Sequence, residues 1–128
     1  MRVLLDTHAF LWWIADSRRL SSAAYAAIID SSNTVFVSAA TAWEIATKYR
    51  LGKLPEADAM AYDMVSTIAL QGFSQLPITV KHGDRAGSLA GPHRDPFDRI
   101  LIAQAMTENL ALVSNEALFD RYGVKRLW

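Results

Sequence analysis

Four carboxylates beside apolar stretches are the side chains of this sequence best suited to chemistry. Asp6 follows the apolar run Val-Leu-Leu, and Asp98 begins a run that continues to residue 105. Glu44 lies within a predicted helix, and Glu116 follows the apolar stretch 110–113. Clustered carboxylates repel each other, and some take up protons unless a cation is present. Mg²⁺ and Mn²⁺ prefer carboxylate oxygens, and acid-only metal sites typically activate a water for phosphate chemistry.

Each of these acids also has an ordinary structural explanation. An Asp at the end of a strand often caps a helix, as Asp6 could, and Glu44 could pair with Lys48 one helical turn away. Asp98 and Glu116 could stabilise the positive ends of helices. Taken one at a time, these explanations are the stronger ones. A site is predicted because unrelated caps would scatter around a fold, whereas these acids are expected to converge.

The elements that position the acids alternate between strands and helices. Short strands are predicted at residues 2–5, 34–37, 73–76, 110–113 and 124–127. Helices are predicted from Ser21 or Ser22 to about residue 31 and at 38–50, 58–71, 79–89, 95–109 and 116–122, with another helix start at Asp6-Thr7. This alternation predicts a three-layer α/β fold with a short parallel sheet flanked by helices. Ligands of such sheets bind beyond the carboxyl ends of the strands, where all four acids are expected.

The composition excludes several classes of protein. The chain has 128 residues, 52% of them hydrophobic, which is enough for one domain with a core. It has no cysteine and only three scattered histidines, which argues against disulfides and zinc sites. Asp6 and His8 interrupt the apolar start, so no signal peptide is expected. No stretch approaches the ~18–20 apolar residues of a membrane helix, so a cytoplasmic location without membrane contact is expected.

Four stretches of the sequence resemble the PIN-domain ribonucleases, and within them the VapC-type toxins of bacterial and archaeal toxin–antitoxin pairs. They are LLDTHAFLWW at 4–13, SAATAWEIATKYRLGKL at 38–54, HRDPFDRILIAQA at 93–105 and LALVSNEALFDRYGV at 110–124. The DPFDR core is the most specific of these motifs. The resemblance covers essentially the whole chain, so a single PIN domain is expected over residues 1–128. It implies a PIN-like fold that cuts RNA at a Mg²⁺- or Mn²⁺-dependent acidic site.

The resemblance implies a role for each of the four acids. The first acid of the family, its helix glutamate and its third acid fall on Asp6, Glu44 and Asp98, which become catalytic metal ligands. The fourth acid of the family is usually an aspartate. This chain has Glu116 there, so the resemblance leaves open whether that side chain binds the metal directly or through water.

The resemblance also implies supporting residues and partners. Thr7 and Ser114 are expected to place hydroxyl groups near the metal, and Asp95 is expected to help through a bound water. The implied partners are an RNA substrate, an antitoxin protein that blocks the cleft, and a second copy of the chain in a homodimer. The tryptophan-rich stretch 10–14 and the predicted helix 58–71 are the candidate surfaces for protein partners.

The net charge conceals an excess of positive charge outside the candidate site. The chain has 13 basic and 13 acidic residues, so nine acids face 13 bases once the four site acids are set aside. Lys48, Arg94 and Arg99 lie close to site acids in the sequence and are predicted to contact RNA phosphates. Ordinary solvated charges explain any single one of them equally well.

Three other functions were weighed against the metal-dependent ribonuclease. A phosphotransferase with a nucleophilic Asp after the first strand would need a second Asp at position 8, where this chain has His8. A receiver domain would need a phosphorylatable Asp at the end of a central strand, but the second predicted strand ends in Val37-Ser38. The remaining alternative is a catalytically degenerate PIN module that binds RNA or a protein partner without cutting.

Overall fold

Five parallel strands form one sheet in the computed structural model, which describes residues 1–91 and 93–128 apart from the side chain of residue 59. The strands are β1 (Arg2–Leu5), β2 (Thr34–Ser38), β3 (Ser74–Leu76), β4 (Ala111–Val113) and β5 (Arg126–Leu127). Their order across the sheet is β3-β2-β1-β4-β5, with β1 in the centre. In register, Leu4 of β1 pairs with Phe36 and Leu112 on its two sides. The predicted parallel α/β fold is therefore confirmed.

Helices connect the strands and cover both faces of the sheet. They are α1 (Thr7–Ile14), α2 (Ser22–Ile29), α3 (Ala39–Arg50), α4 (Asp58–Ala61), α5 (Met64–Leu70), α6 (Val80–Ser88) and α7 (Pro96–Glu108). Two short 3₁₀ helices span Pro55–Ala57 and Ala117–Tyr122. Within the described ranges, no helix is both long and apolar enough to cross a membrane.

The central strand β1 separates two hydrophobic clusters. Val3 and Leu5 point into one cluster, which packs against α1, α2, α3 and α5. Leu4 points into the other cluster, which packs mainly against α7. All three side chains are fully buried, as expected for a strand covered on both faces. This alternation gives the three layers of the fold.

The structure corrects the prediction of one helix over residues 58–71. The chain forms α4 and α5 instead, and Asp63 caps the second of them by accepting a hydrogen bond from the backbone N–H of Ser66. An aspartate side chain that bonds the backbone locally favours a helix start over a helix interior. The predicted helix 116–122 is also corrected, to the 3₁₀ helix that begins at Ala117. The other elements differ from the predictions by one or two residues at their ends. The last strand, predicted at 124–127, covers only Arg126–Leu127.

Three segments that carry predicted site acids begin at the carboxyl ends of the central strands. They are the segment after β1, helix α3 and helix α7. β1 ends next to Asp6, which is bound to β4 through its N–H and the carbonyl of Val113, 3.1 Å away. Helix α3 begins directly after β2. Helix α7 ends shortly before β4 begins, so its own first turn lies at the carboxyl edge. The sheet topology therefore brings the predicted acids to one edge.

Candidate active site

Asp6 is a buried carboxylate fixed by the start of α1. Its Oδ1 accepts a hydrogen bond from the backbone N–H of Ala9 at 2.8 Å, so it is the N-cap of the helix. Burial raises the pKa of Asp6, and the negative charge of Glu44 adds to this effect. The hydrogen bonds from Ser114 and Ala9 and the nearby His8 act in the opposite direction without cancelling the rise. A structural cap thus carries a charge that its surroundings disfavour.

Glu44 is buried in α3 and holds two different donors. The hydroxyl of Thr7 donates to its Oε1 at 2.6 Å, and Lys48 donates to its Oε2 in a short ion pair. The Thr7 hydroxyl also lies 3.3 Å from that of Thr41. The predicted pairing of Glu44 with Lys48 is therefore present. It does not exclude a functional role, because this carboxylate is only 4% exposed and adds to the potential at Asp6 and Asp98.

Asp98 has a carboxyl group whose pKa lies far above its ordinary value. Burial is the main cause that raises its pKa from 3.8 to about 7. The charges of Asp95, Glu44, Asp6 and Glu116 follow as further causes. All the predicted site acids therefore act on one carboxyl group through their electric field. Such mutual repulsion is the property expected of a site that gains from a bound cation.

Asp95 and Asp98 have different roles at the start of α7, because only Asp95 caps the helix. One oxygen of Asp95 accepts hydrogen bonds from the N–H groups of Phe97 and Asp98, at 2.9 and 3.1 Å, so Asp95 is the N-cap. Pro96 occupies the first helical position, where its missing N–H costs nothing. The side chain of Asp98 has no part in this cap. It remains available for chemistry.

His93 is a site residue that the sequence analysis did not assign. Its Nε2 lies 3.0 Å from Oδ2 of Asp98, at ion-pair distance, but is not aligned as a hydrogen bond. The ring stacks on Phe119 at 5.4 Å, and the backbone of His93 is held by the hydroxyl of Tyr122 and by Arg99. The histidine precedes Asp98 by five positions in HRDPFD, but no periodicity marks it, because it lies in the loop before the helix.

Glu116 differs from the other acids because it is exposed. Its Oε1 accepts a hydrogen bond from the backbone N–H of Leu118 at 3.0 Å, which makes it the cap of the second 3₁₀ helix. Buried Ser114 joins it to the rest of the site, since the Ser114 hydroxyl accepts from the N–H of Glu116 and bonds the side chain of Asp6. Glu116 thus lies at the margin of the site, where a contact through water fits better than a direct one.

Carboxylate oxygens are the ligands that a hard divalent cation prefers, but the positions of these carboxylates do not form a complete metal site. In the described part of the chain, no three acidic or histidine side chains converge closely enough to hold a metal ion. Two of the acids face bases instead, Glu44 with Lys48 and Asp98 with His93. Burial is the main cause of the raised pKa of both Asp6 and Asp98, and neighbouring acids add to it, so a bound cation would stabilise both carboxylates in their charged form. Mg²⁺ keeps several waters and need not touch every acid, so the separation of these carboxylates is compatible with such an ion.

The cations predicted to contact RNA lie in three different environments. Lys48 is bound to Glu44, and Arg94 is exposed. Arg99 instead uses its guanidinium group on three backbone carbonyls, those of Ala86, Leu89 and His93. Arg99 therefore joins the end of α6 to the loop before α7, and its donors are already used. Its predicted contact with RNA phosphate gains no support from this geometry.

Comparisons with known proteins agree with the fold. The model of the PIN domain family matches residues 3–125. Ribonuclease VapC16 of Mycobacterium tuberculosis is 41% identical over 61 residues, which are 48% of this chain and 42% of that protein. The match therefore spans less than half the length of that curated relative.

Solved structures of the same fold are complexes of toxins with antitoxins. VapBC2 of Rickettsia felis bound to a promoter DNA fragment has a TM-score of 0.71 and 20% identity, covering 98% of this chain and 97% of that one. DNA-bound VapBC of Salmonella typhimurium has a TM-score of 0.66 and 16% identity, covering 98% and 96%. These identities are low, so the two structures establish the fold alone. Together with the family match over nearly the whole sequence, they show that this chain belongs to the PIN domain family.

Proposed function

We propose that this chain is a metal-dependent endoribonuclease that hydrolyses RNA phosphodiester bonds and acts as the toxin of a toxin–antitoxin pair. The observation that carries the proposal is the set of acids at the carboxyl edge of a PIN-domain sheet, all of which raise the pKa of Asp98. The names of the similar proteins support the same activity, since they include a ribonuclease and two toxin–antitoxin complexes.

In this proposal Asp6, Glu44 and Asp98 hold Mg²⁺ or Mn²⁺, and Glu116 contributes through water. When bound by these residues, such an ion would supply the activation of a water molecule and the stabilisation of negative charge on the phosphate. The protein supplies the fixed positions of the ligands. Asp6 is held by the first turn of α1. Glu44 is held by the hydroxyl of Thr7, which leaves its Oε2 to Lys48.

Lys48 and His93 then act as the basic side chains of the site. Each stands next to a ligand carboxylate, Lys48 paired with Glu44 and His93 3.0 Å from Asp98. The carboxylates around Lys48 raise its pKa although burial alone would lower it, so Lys48 stays charged. An ammonium group at this position is suited to an RNA phosphate that approaches the acids. Arg94 is the exposed cation nearest to them in sequence and is proposed to contact the RNA further along.

The proposed protein partners are an antitoxin and a second copy of the chain. The region 58–71 was predicted to face a partner, and its two short helices expose large apolar side chains. Tyr62 is 80% exposed, Val65 65% and Leu70 84%. Exposed apolar groups so close together are more typical of an interface than of a free surface. The similar toxin structures were solved together with their antitoxins, which supports an antitoxin partner here, and we place the action of the pair in the cytoplasm.

One observation favours the alternative of a PIN module that binds without cutting. It is the lack, within residues 1–91 and 93–128, of three acidic or histidine side chains arranged to hold an ion. The activity of the purified protein on labelled RNA separates the two functions. We expect cleavage with Mg²⁺ or Mn²⁺, none with EDTA, and none by Asp6→Asn in either buffer. RNA binding without metal-dependent cleavage would establish the alternative.

The toxin role needs a separate test in cells. We expect expression of the chain to stop growth, and we expect co-expression of the protein encoded by the neighbouring gene to restore it. The matched control is Asp6→Asn, which should fold and yet leave growth unaffected. Growth arrest by this variant equal to that by the natural chain would show that the arrest does not come from RNA cleavage.

A further inference from the structure

A groove of about 460 Å³ opens beside the carboxylate edge of the sheet. One wall comes from α1, with Leu11, Trp12 and Ile14, and the other includes Leu54 and Met60 from the segment after α3. Ligand pockets commonly enclose about 300–1,000 Å³ and have mostly apolar walls with a few polar groups. In size and lining, the groove suits a flat aromatic group such as a nucleobase.

The groove adjoins the candidate active site. Thr7 and Lys48 line it, and these same two side chains hold the carboxylate of Glu44. A ligand bound at the acids therefore lies one side chain away from the groove. For an RNA chain with one phosphodiester at the acids, a neighbouring nucleotide is the part that comes next.

The charges around the groove suit a sugar–phosphate chain. The cations that line it are Arg19, Lys48 and Lys53, and Glu56 is the one acid among the lining residues that the structure describes. Lys48 is also paired with Glu44 of the candidate active site. Arg19 and Lys53 are exposed at the rim, where they remain in water. Apolar walls with cations at the rim are the combination by which proteins bind single-stranded nucleic acid.

Trp12 is the aromatic side chain in the wall of the groove. It is partly buried and packs against His8 and Trp128, with ring centres 5.6 and 5.7 Å away. These two neighbours hold the indole in place, so little freedom is lost when a ligand packs on it. An acidic segment of a protein would also satisfy the cations. The shared residues Thr7 and Lys48 favour RNA, because they tie the groove to the acids.

We propose that this groove binds one base of the RNA substrate, next to the phosphodiester that is cut. The inference rests on the proposed ribonuclease function and adds how the substrate is held. Trp12 and the apolar walls contact the base, and Arg19 and Lys53 contact the adjacent phosphates. The groove thereby contributes to the choice of the cleavage site, since the base that fits it determines which phosphodiester reaches the acids.

Fluorescence anisotropy can measure this contribution with two labelled probes. One is a single-stranded RNA of ten nucleotides, and the other is a ribose–phosphate chain of equal length and charge without bases. Both are used in EDTA to prevent cleavage. We expect the natural protein to bind the base-bearing probe roughly tenfold or more tightly, the effect of one stacked base. Cleavage of the first probe in Mg²⁺ is measured in parallel.

Two variants alter the groove in different ways, and one matched variant leaves it unchanged. Trp12→Leu removes the aromatic surface but keeps an apolar side chain, and Ala15→Leu fills the groove from an exposed position. Both should reduce the ratio of the two affinities at least fivefold while the melting temperature stays near that of the natural chain. Trp43→Ala removes an exposed tryptophan that packs on Phe97 outside the groove, and it should keep the ratio.

The outcomes separate this inference from the proposed function. An unchanged ratio in both groove variants, with Mg²⁺-dependent cleavage intact, would overturn the base site and leave the ribonuclease in place. The same would follow if the groove variants lost only the binding of the neighbouring gene product. A ratio that falls in the groove variants, without cleavage by the natural protein, would support the groove and refute the ribonuclease.

Discussion

The substitution Asp98→Asn tests the electrostatic argument for the site without any substrate. The carboxyl group of Asp98 has its pKa raised from 3.8 to about 7, mainly by burial and then by four other acids. The folded state therefore holds the proton more tightly than the unfolded chain does. The stability that this group contributes to the folded state is therefore fully present below pH ~4, and it is lost as the pH rises through about 7. Above pH 7, the folded protein carries an unfavourable charge that asparagine would remove.

The size of the effect follows from the pKa. Each tenfold change in a protonation equilibrium is worth about 1.36 kcal/mol, so a rise from 3.8 to about 7 corresponds to at most about 4 kcal/mol. The side chain is 26% exposed, and screening by solvent reduces this figure. We expect Asp98→Asn to gain about 2 kcal/mol at pH 8.5 in EDTA, or roughly 5–10 °C in melting temperature. At pH 4 the two proteins should melt within about 2 °C of each other, because Asp98 is then protonated.

Thermal melting at several pH values in EDTA measures this difference, and a second carboxylate provides the control. Asp120 is exposed, and its hydrogen bond from Arg126 lowers its pKa, so Asp120→Asn should not stabilise the protein at pH 8.5. Adding Mg²⁺ should raise the melting temperature of the natural chain more than that of Asp98→Asn. The raised pKa would be refuted if Asp98→Asn and the natural chain differed in melting temperature by the same amount at pH 4 and at pH 8.5. A melting temperature of Asp98→Asn below that of the natural chain at pH 8.5 would refute it as well.

Substitutions at three further residues test the side chains that support the site. Asp95→Ala should lower the free energy of unfolding by about 1 kcal/mol, because two N–H groups lose their acceptor, while Asp95→Ser should keep most of it in chemical denaturation. Arg99→Met should cost roughly 2 kcal/mol by the same measurement, since three carbonyls lose a charged donor; unchanged stability together with weaker RNA binding would restore Arg99 as a phosphate contact. Thr7→Val should reduce Mg²⁺-dependent cleavage because Glu44 loses a donor, and Thr7→Ser should recover it; equal rates for both variants would contradict the positioning role.

The sequence predicted those parts of the fold that local chemistry determines. Helices were predicted to begin at Ser21 or Ser22 and at residues 38 and 95, and Ser21, Ser38 and Asp95 each accept a hydrogen bond from a backbone N–H in the following turn. The apolar stretches alternate with these caps, which is sufficient to predict the parallel sheet. The broken helix after Asp58 was not predicted, because the cap at Asp63 competes with an otherwise continuous helical pattern.

The acids of the site could also be predicted, and so could the pairing of Glu44 with Lys48 one helical turn away, but the contact of Asp98 with His93 could not. Asp6 and Asp98 stand at element boundaries, which a sequence reveals through changes in polarity. His93 lies in a loop, and its distance from Asp98 depends on the stacking with Phe119 and on the bond from Arg99, both contacts between distant parts of the chain. Arg99 was predicted to bind phosphate because it lies close to the site acids in the sequence. Its acceptors are backbone carbonyls, which carry no signal in the sequence.

The architecture that gathers the acids also neutralises part of their charge. In a parallel sheet the connecting helices begin at the carboxyl edge, and helix starts carry positive partial charge and free N–H groups. Asp6, Asp95 and Glu116 use those N–H groups as caps. Within residues 1–91 and 93–128, no backbone N–H is bound to the side chains of Glu44 and Asp98, which face basic side chains instead. These two acids therefore have the most to gain from a bound cation, and the capped acids mainly fix where that cation would lie.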